Sequence, residues 1–119
     1  MGYILKEMKR SKENEISADI CVPPDSPWFD GHFPGEPVLP GVAQIGMVFD
    51  AISNARNQDL RISGVRRVRF KRMIRPDDQL KIIAVPLKKE TDAYSFRILI
   101  REETVCSGVV TVETTSRMN

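Results

Sequence analysis

One stretch of this chain places apolar residues at a helical period, and nearly everything around it alternates. From Gly41 to Arg56, Val42, Ile45, Phe49 and Ile52 recur at intervals of three and four, and Val48 widens the stripe. Pro40 stands at the start, where its missing N–H costs nothing. Gly46 sits in the middle and costs about 1 kcal/mol relative to alanine. A single long helix followed by a run of strands predicts an α+β fold, the helix lying across one curved antiparallel sheet. At 119 residues the chain is expected to be a single domain spanning 1–119.

The strands are legible by their period of two. Ile16, Ala18, Ile20 and Val22 alternate with Glu15, Ser17 and Asp19, which predicts a half-buried strand. Tyr3 to Lys9 is expected to pair with it through a polar turn around Ser11 to Asn14. Pro23, Pro24 and Pro27 end that strand, because proline cannot donate to a ladder, and a loop continues to Pro40. After the helix, Gly64 to Ile74 alternates, with Val68, Phe70 and Ile74 on one face and Arg67, Arg69 and Lys71 on the other. Arg75-Pro76-Asp77-Asp78 has the chemistry of a turn. Strands at Leu80 to Leu87, Ala93 to Arg101 and Thr104 to Glu113 follow, with Glu102-Glu103 in a tight hairpin.

Composition excludes several classes. A net charge of +2 is too small to imply nucleic acid, and no run approaches the ~20 apolar residues of a membrane span. The start, MGYILKEMKRSK, lacks a signal peptide's apolar core, and Lys6 stands where myristoylation of Gly2 needs a small hydroxyl residue. Cys21 and Cys106 fall inside strands without ligand spacing, as buried free thiols of a cytoplasmic protein do. With one histidine and two distant cysteines, no metal site and no cofactor is expected.

The stretch GHFPGEPVLPGV, Gly31 to Val42, resembles the motif of the hotdog-fold β-hydroxyacyl-thioester dehydratases of fatty-acid synthesis, in which G-H-F-P-G-x-P leads through a P-G pair into the central helix. The segment GVRRVRFKRMIRPDDQLKI, Gly64 to Ile82, is similar to the same family's strand and turn, with Asp77 where the family usually has glycine. The resemblance implies a single hotdog fold and a homodimer or higher assembly of dimers. It also implies an acyl tunnel at the dimer interface, formed by the loop of one subunit and the helix of the other. The substrate implied is a (3R)-3-hydroxyacyl thioester on acyl carrier protein or coenzyme A. His32 becomes the base that removes the C2 proton, and an unperturbed pKa of about 6.5 suits that task. Phe33, Gly35, Gly41, Val42 and Gly46 fall along the implied substrate path. Independently of any family, Gly35 and Gly41 allow close backbone approach. A helix N-terminus favours the negative charge that develops on an enolate oxygen.

The departure is Gly46, fourteen residues after His32, where the family carries a glutamate or aspartate acting on the leaving hydroxyl. Asp50 follows one turn later on the same face, where a glutamine is usual. Two readings of Asp50 stand. The carboxylate has moved one turn, with desolvation raising its pKa as suits a proton donor; or Asp50 only makes a hydrogen bond in the dimer interface. The second is favoured, because a shift of ~5.4 Å is large when a misplacement of about 1 Å costs on the order of 100-fold. Gln44 points roughly opposite to Gly46, so it either orients the substrate or bonds within the interface. Arg61 to Arg75 holds seven basic residues and no acidic one. Arg67, Arg69 and Lys71 there suit an acidic carrier protein or a phosphopantetheine phosphate, or are a solvated face that protects an edge. The leading reading is a dehydratase. The alternatives are an impaired hotdog module that binds acyl thioesters or acyl carrier protein, half of a mixed dimer, or a thioesterase using Asp50.

Overall fold

The structure, a computed structural model, describes residues 2–29 and 37–115. Strands β1 (Ile4–Arg10) and β2 (Ile16–Cys21) are followed by a short 3-10 turn at Pro27–Phe29 and helix α1 (Gly41–Arg56). Then come β3 (Leu60–Phe70), β4 (Gln79–Pro86), β5 (Ala93–Ile100) and β6 (Glu103–Thr114). All pairings are antiparallel, and the sheet order is β1-β2-β4-β5-β6-β3, which leaves β1 and β3 as its edges.

The register explains how one face of the sheet becomes a core. Ile16, Ala84, Phe96 and Gly108 are successive partners across four strands, and Ala18, Ile82, Ile98 and Cys106 form the next such row. All are buried. In the first row the residues complement one another in size: a Cβ on Gly108 would lie 3.0 Å from the Phe96 ring, so the glycine makes room for the phenyl group. Helix α1 packs on this face, touching β1, β2, β3 and β4. The turns match their chemistry. Arg101 and Glu102 both have positive φ, 50° and 69°, which is the geometry of a two-residue hairpin that follows the twist of its strands. Asn57 closes α1 in the left-handed conformation.

The last hairpin turns one residue earlier than expected, at Arg101-Glu102 instead of Glu102-Glu103, since Glu103 already pairs with Ile100 in the ladder. Two further details differ from the sequence expectation. The buried side of α1 is Ala43, Gln44, Met47, Val48, Ala51 and Ile52. Val42 is 82% exposed, and Ile45 and Phe49 are only half-buried. The period was right but the phase was turned, because two alanines approach the sheet where larger side chains were expected to. The second detail is β3, which begins at Leu60 and ends at Phe70 instead of running from Gly64 to Ile74. A bulge between Arg66 and Arg69, with Arg67 at φ 57°, breaks the alternation. Past Phe70 the chain leaves the ladder, the Lys71 and Arg72 N–H groups both turning to the Val105 carbonyl. Alternation therefore does not by itself gather Arg67, Arg69 and Lys71 on one face.

Candidate functional site

The proline-rich loop delivers the chain to the start of α1. Pro40 occupies the N-cap in extended conformation, with no side-chain cap and no acidic residue in the first turn. Its carbonyl accepts from the Ala43 and Gln44 N–H groups at 3.1 and 3.2 Å. Glycine at 41 has a steric reason: a Cβ there would come within 2.6 Å of the Phe70 ring. Between this helix start and the segment leaving β3 lies a cavity of about 410 Å³, lined by Val38, Leu39, Pro40, Gly41, Gln44, Phe70, Lys71, Arg72 and Met73. Gly41, Gln44 and Lys71, expected on separate grounds, meet here. Gln44 is 4% exposed and its Nε2 donates to the Leu39 carbonyl at 3.2 Å, while its Oε1 has no partner among the described residues.

The other side of the helix carries Val42, Gly46 and Asp50. Among the described residues nothing lies within 4 Å of where a Gly46 Cβ would stand, so they leave the helix surface open at the position of the missing acid. Asp50 does not line the cavity. Its Oδ2 accepts a 2.7 Å hydrogen bond from the Tyr3 hydroxyl, and the Tyr3 ring stacks on Trp28 with centroids 5.5 Å apart. Burial, and then the bond to Asp50, raises the Tyr3 phenol above its ordinary pKa. Asp50 thus ties the chain's first segment to the helix. This partnership was invisible to the helix spacing that singled out Asp50.

His32, Phe33 and Gly35 lie outside the described residues, which resume at Pro37. Arg67, Arg69 and Lys71 are exposed and have no ion pair among the described residues, whereas Arg66 pairs with Glu90 at 2.5 Å and Arg72 with Glu103 at 2.6 Å. Phe70 and Met73, 53% and 56% exposed, line the cavity without having been expected to. The signal for them was available: large apolar residues set between basic ones just where a strand ends. A larger hollow of about 670 Å³ lies on the sheet face away from α1, where Asp19, Lys81 and Leu99 share a row. Its walls mix both signs of charge, and it has no tie to the motif. Among the described residues no helix is long and apolar enough to cross a membrane.

Known proteins give this geometry a context. The family model for ApeI-like proteins, described as ApeI dehydratase, matches residues 8–109. The 3-hydroxyacyl-acyl-carrier-protein dehydratase FabZ of Syntrophobacter fumaroxidans is 35% identical over 94 residues, covering 71% of this chain and 64% of that protein. FabZ of Caldicellulosiruptor saccharolyticus is 34% identical over 111 residues, covering 86% and 78%. The chain spans 60–65% of the length of the first four FabZ relatives it matches. Among solved structures, the dehydratase heterocomplex ApeI:P from Xenorhabdus doucetiae contains a chain that superposes with a TM-score of 0.83 at 26% identity, covering 94% of this chain and 98% of that one. The six-stranded sheet with one helix is therefore the hotdog fold.

Proposed function

We propose, because this chain belongs to the ApeI-like dehydratase family, that it eliminates water from a (3R)-3-hydroxyacyl thioester. His32 takes the C2 proton, and charge passes to the thioester oxygen, where the N–H groups at the uncapped start of α1 favour it. The C3–O bond then breaks, and the hydroxyl leaves as water once it has received a proton, giving the conjugated enoyl thioester. The observation that carries this reading is the unbroken GHFPGEPVLPGV sequence running into a helix whose first turn borders an apolar cavity. The names of the FabZ relatives support acyl carrier protein as the thioester's bearer. Lys71 in the cavity's lining, with Arg67 and Arg69 exposed on the end of β3 that leads to it, gives an acidic carrier a surface to meet. Two buried free thiols suit the reducing cytoplasm.

The proton for the leaving hydroxyl needs a source. Asp50 is engaged by Tyr3 and stands away from the cavity, which also weakens its candidacy as a thioesterase base. Gln44 has no acidic proton to give. The open space at Gly46 favours a mixed assembly, in which a second hotdog subunit brings the acid to this helix. The similarity to a chain of a dehydratase heterocomplex supports that arrangement over a homodimer. The test is hydration of an enoyl thioester, followed by loss of its conjugated absorbance. We expect little turnover from the chain alone, a gain when Gly46→Glu restores the acid, and none in the same variant carrying His32→Ala. An inert Gly46→Glu variant that still binds thioester would favour the alternative, a hotdog module that holds acyl chains without reacting.

A further inference from the structure

Gln44 is the only buried side chain among the described residues with a polar atom left without a partner. Its orientation is not arbitrary. The Leu39 carbonyl can only accept, so the amide must present nitrogen to it, and the oxygen is the atom left over. Leu39 is itself held from the other side, its N–H donating to the Ile74 carbonyl at 2.8 Å. The amide is therefore fixed at one end by a peptide that is pinned to the chain beyond β3. The same side chain lines the 410 Å³ cavity, whose other walls include Val38, Pro40, Phe70 and Met73. A buried acceptor without a donor costs free energy that a bound donor gives back. A carboxylate is a poor occupant of such a place, whereas an N–H or O–H group fits it.

We propose that Gln44 is a substrate-orienting residue whose Oε1 accepts a hydrogen bond from the acyl thioester in this cavity. The proposal rests on the thioester reading above and adds the contact that fixes the ligand's pose. Two parts of such a ligand carry a suitable donor, the 3-hydroxyl of the acyl group and an amide N–H of the pantetheine arm. Both are neutral donors meeting a neutral acceptor, so the contact serves orientation and leaves proton transfer to other groups.

Binding of two probes, a saturated acyl pantetheine thioester and its 3-hydroxy counterpart, tests this, measured on the His32→Ala background so that neither is consumed. Gln44→Met keeps the volume and removes the acceptor. We expect it to weaken binding by about tenfold to a hundredfold. Equal weakening of both probes assigns the contact to the pantetheine amide, and weakening of the 3-hydroxy probe alone assigns it to the hydroxyl. Unchanged binding of both by Gln44→Met overturns the proposal while leaving the thioester reading intact. Failure of the unsubstituted background to bind either probe overturns both together.

Gln44→Glu guards against a folding defect in the first variant. Protonated, its carboxyl donates to Leu39 and keeps an acceptor for the ligand; ionised, it sets two oxygens against each other. Thioester affinity in Gln44→Glu is expected to approach that of the His32→Ala background at acidic pH and to fall away as pH rises, while the background stays level. A variant that is folded and binds equally at every pH argues against Oε1 as the contact.

Discussion

Tyr3 reaches Asp50 across 47 positions of sequence, and the 2.7 Å bond between them closes the first strand's approach onto the helix. Removing the hydroxyl by Tyr3→Phe is expected to destabilise the fold by about 0.5–1.5 kcal/mol in urea unfolding, leaving the ring's stack on Trp28 in place. The pH dependence has a definite sign. The phenol's folded pKa lies above its unfolded value of about 10. The stability it contributes is therefore fully present below that pH and declines as pH rises toward the folded pKa. The gap between wild type and Tyr3→Phe should be level up to about pH 9 and narrow above about pH 10. Asp77 offers a gain instead of a loss. It holds φ 67° in the turn before β4, a conformation that favours glycine. Its N–H bonds the Val22 carbonyl at 2.9 Å, a contact any residue keeps. Asp77→Gly should raise stability by up to about 1 kcal/mol, read as a shift in the thermal midpoint.

At the scale of elements, the alternating strands and the helix's limits were readable because period and breakers are local properties. The phase of the helix was not. Hydrophobicity favoured Val42, Ile45 and Phe49 for the buried side, but close packing on the sheet selected Ala43, Met47 and Ala51. Only the tertiary partner surface decides between those two faces. The site divides along the same line. Gly41 and Gln44 were legible from the motif and the spacing, and the structure brings them to one cavity; Asp50's partner and the lining by Phe70 and Met73 depend on contacts between distant segments. The bulge in β3 was hidden because Arg67, Val68 and Arg69 preserve a strand-like pattern through it. Packing between elements makes its own prediction at Gly108. A methyl group there meets the Phe96 ring at 3.0 Å and the Val68 backbone at 3.1 Å, and both neighbours are constrained. Gly108→Ala should cost about 1–3 kcal/mol in chemical denaturation, and pairing it with Phe96→Leu should recover part of that loss.

The whole molecule leaves one side unfinished. β3 is a sheet edge, and along or just beyond it Ile62, Val65, Phe70 and Met73 are exposed, while Val42 is exposed on the helix. An edge strand with apolar side chains is a template for another chain. Stable protein interfaces bury about 1,200–2,000 Å² in total, which an edge-to-edge pairing that also covers a helix can supply. Among the described residues the helix surface at Gly46 is open, so a second subunit that also covers the helix can set a side chain there. We therefore expect β3 to be the assembly edge, with the missing acid arriving across it. Val65→Lys places a charge at the centre of that edge, and Val42→Lys places one on the helix. In sedimentation velocity of the chain together with its acid-bearing partner subunit, each should shift the chain from an assembled species to a monomer. The thermal midpoint of each variant should lose the concentration dependence that assembly confers. Ser95 is exposed on the sheet face turned away from the helix, so Ser95→Lys serves as the control and should leave assembly unchanged. If Val65→Lys and Val42→Lys assemble as the unsubstituted chain does, another surface joins the subunits. Gly46 would then be open to solvent, and the acid would have to come from within this chain.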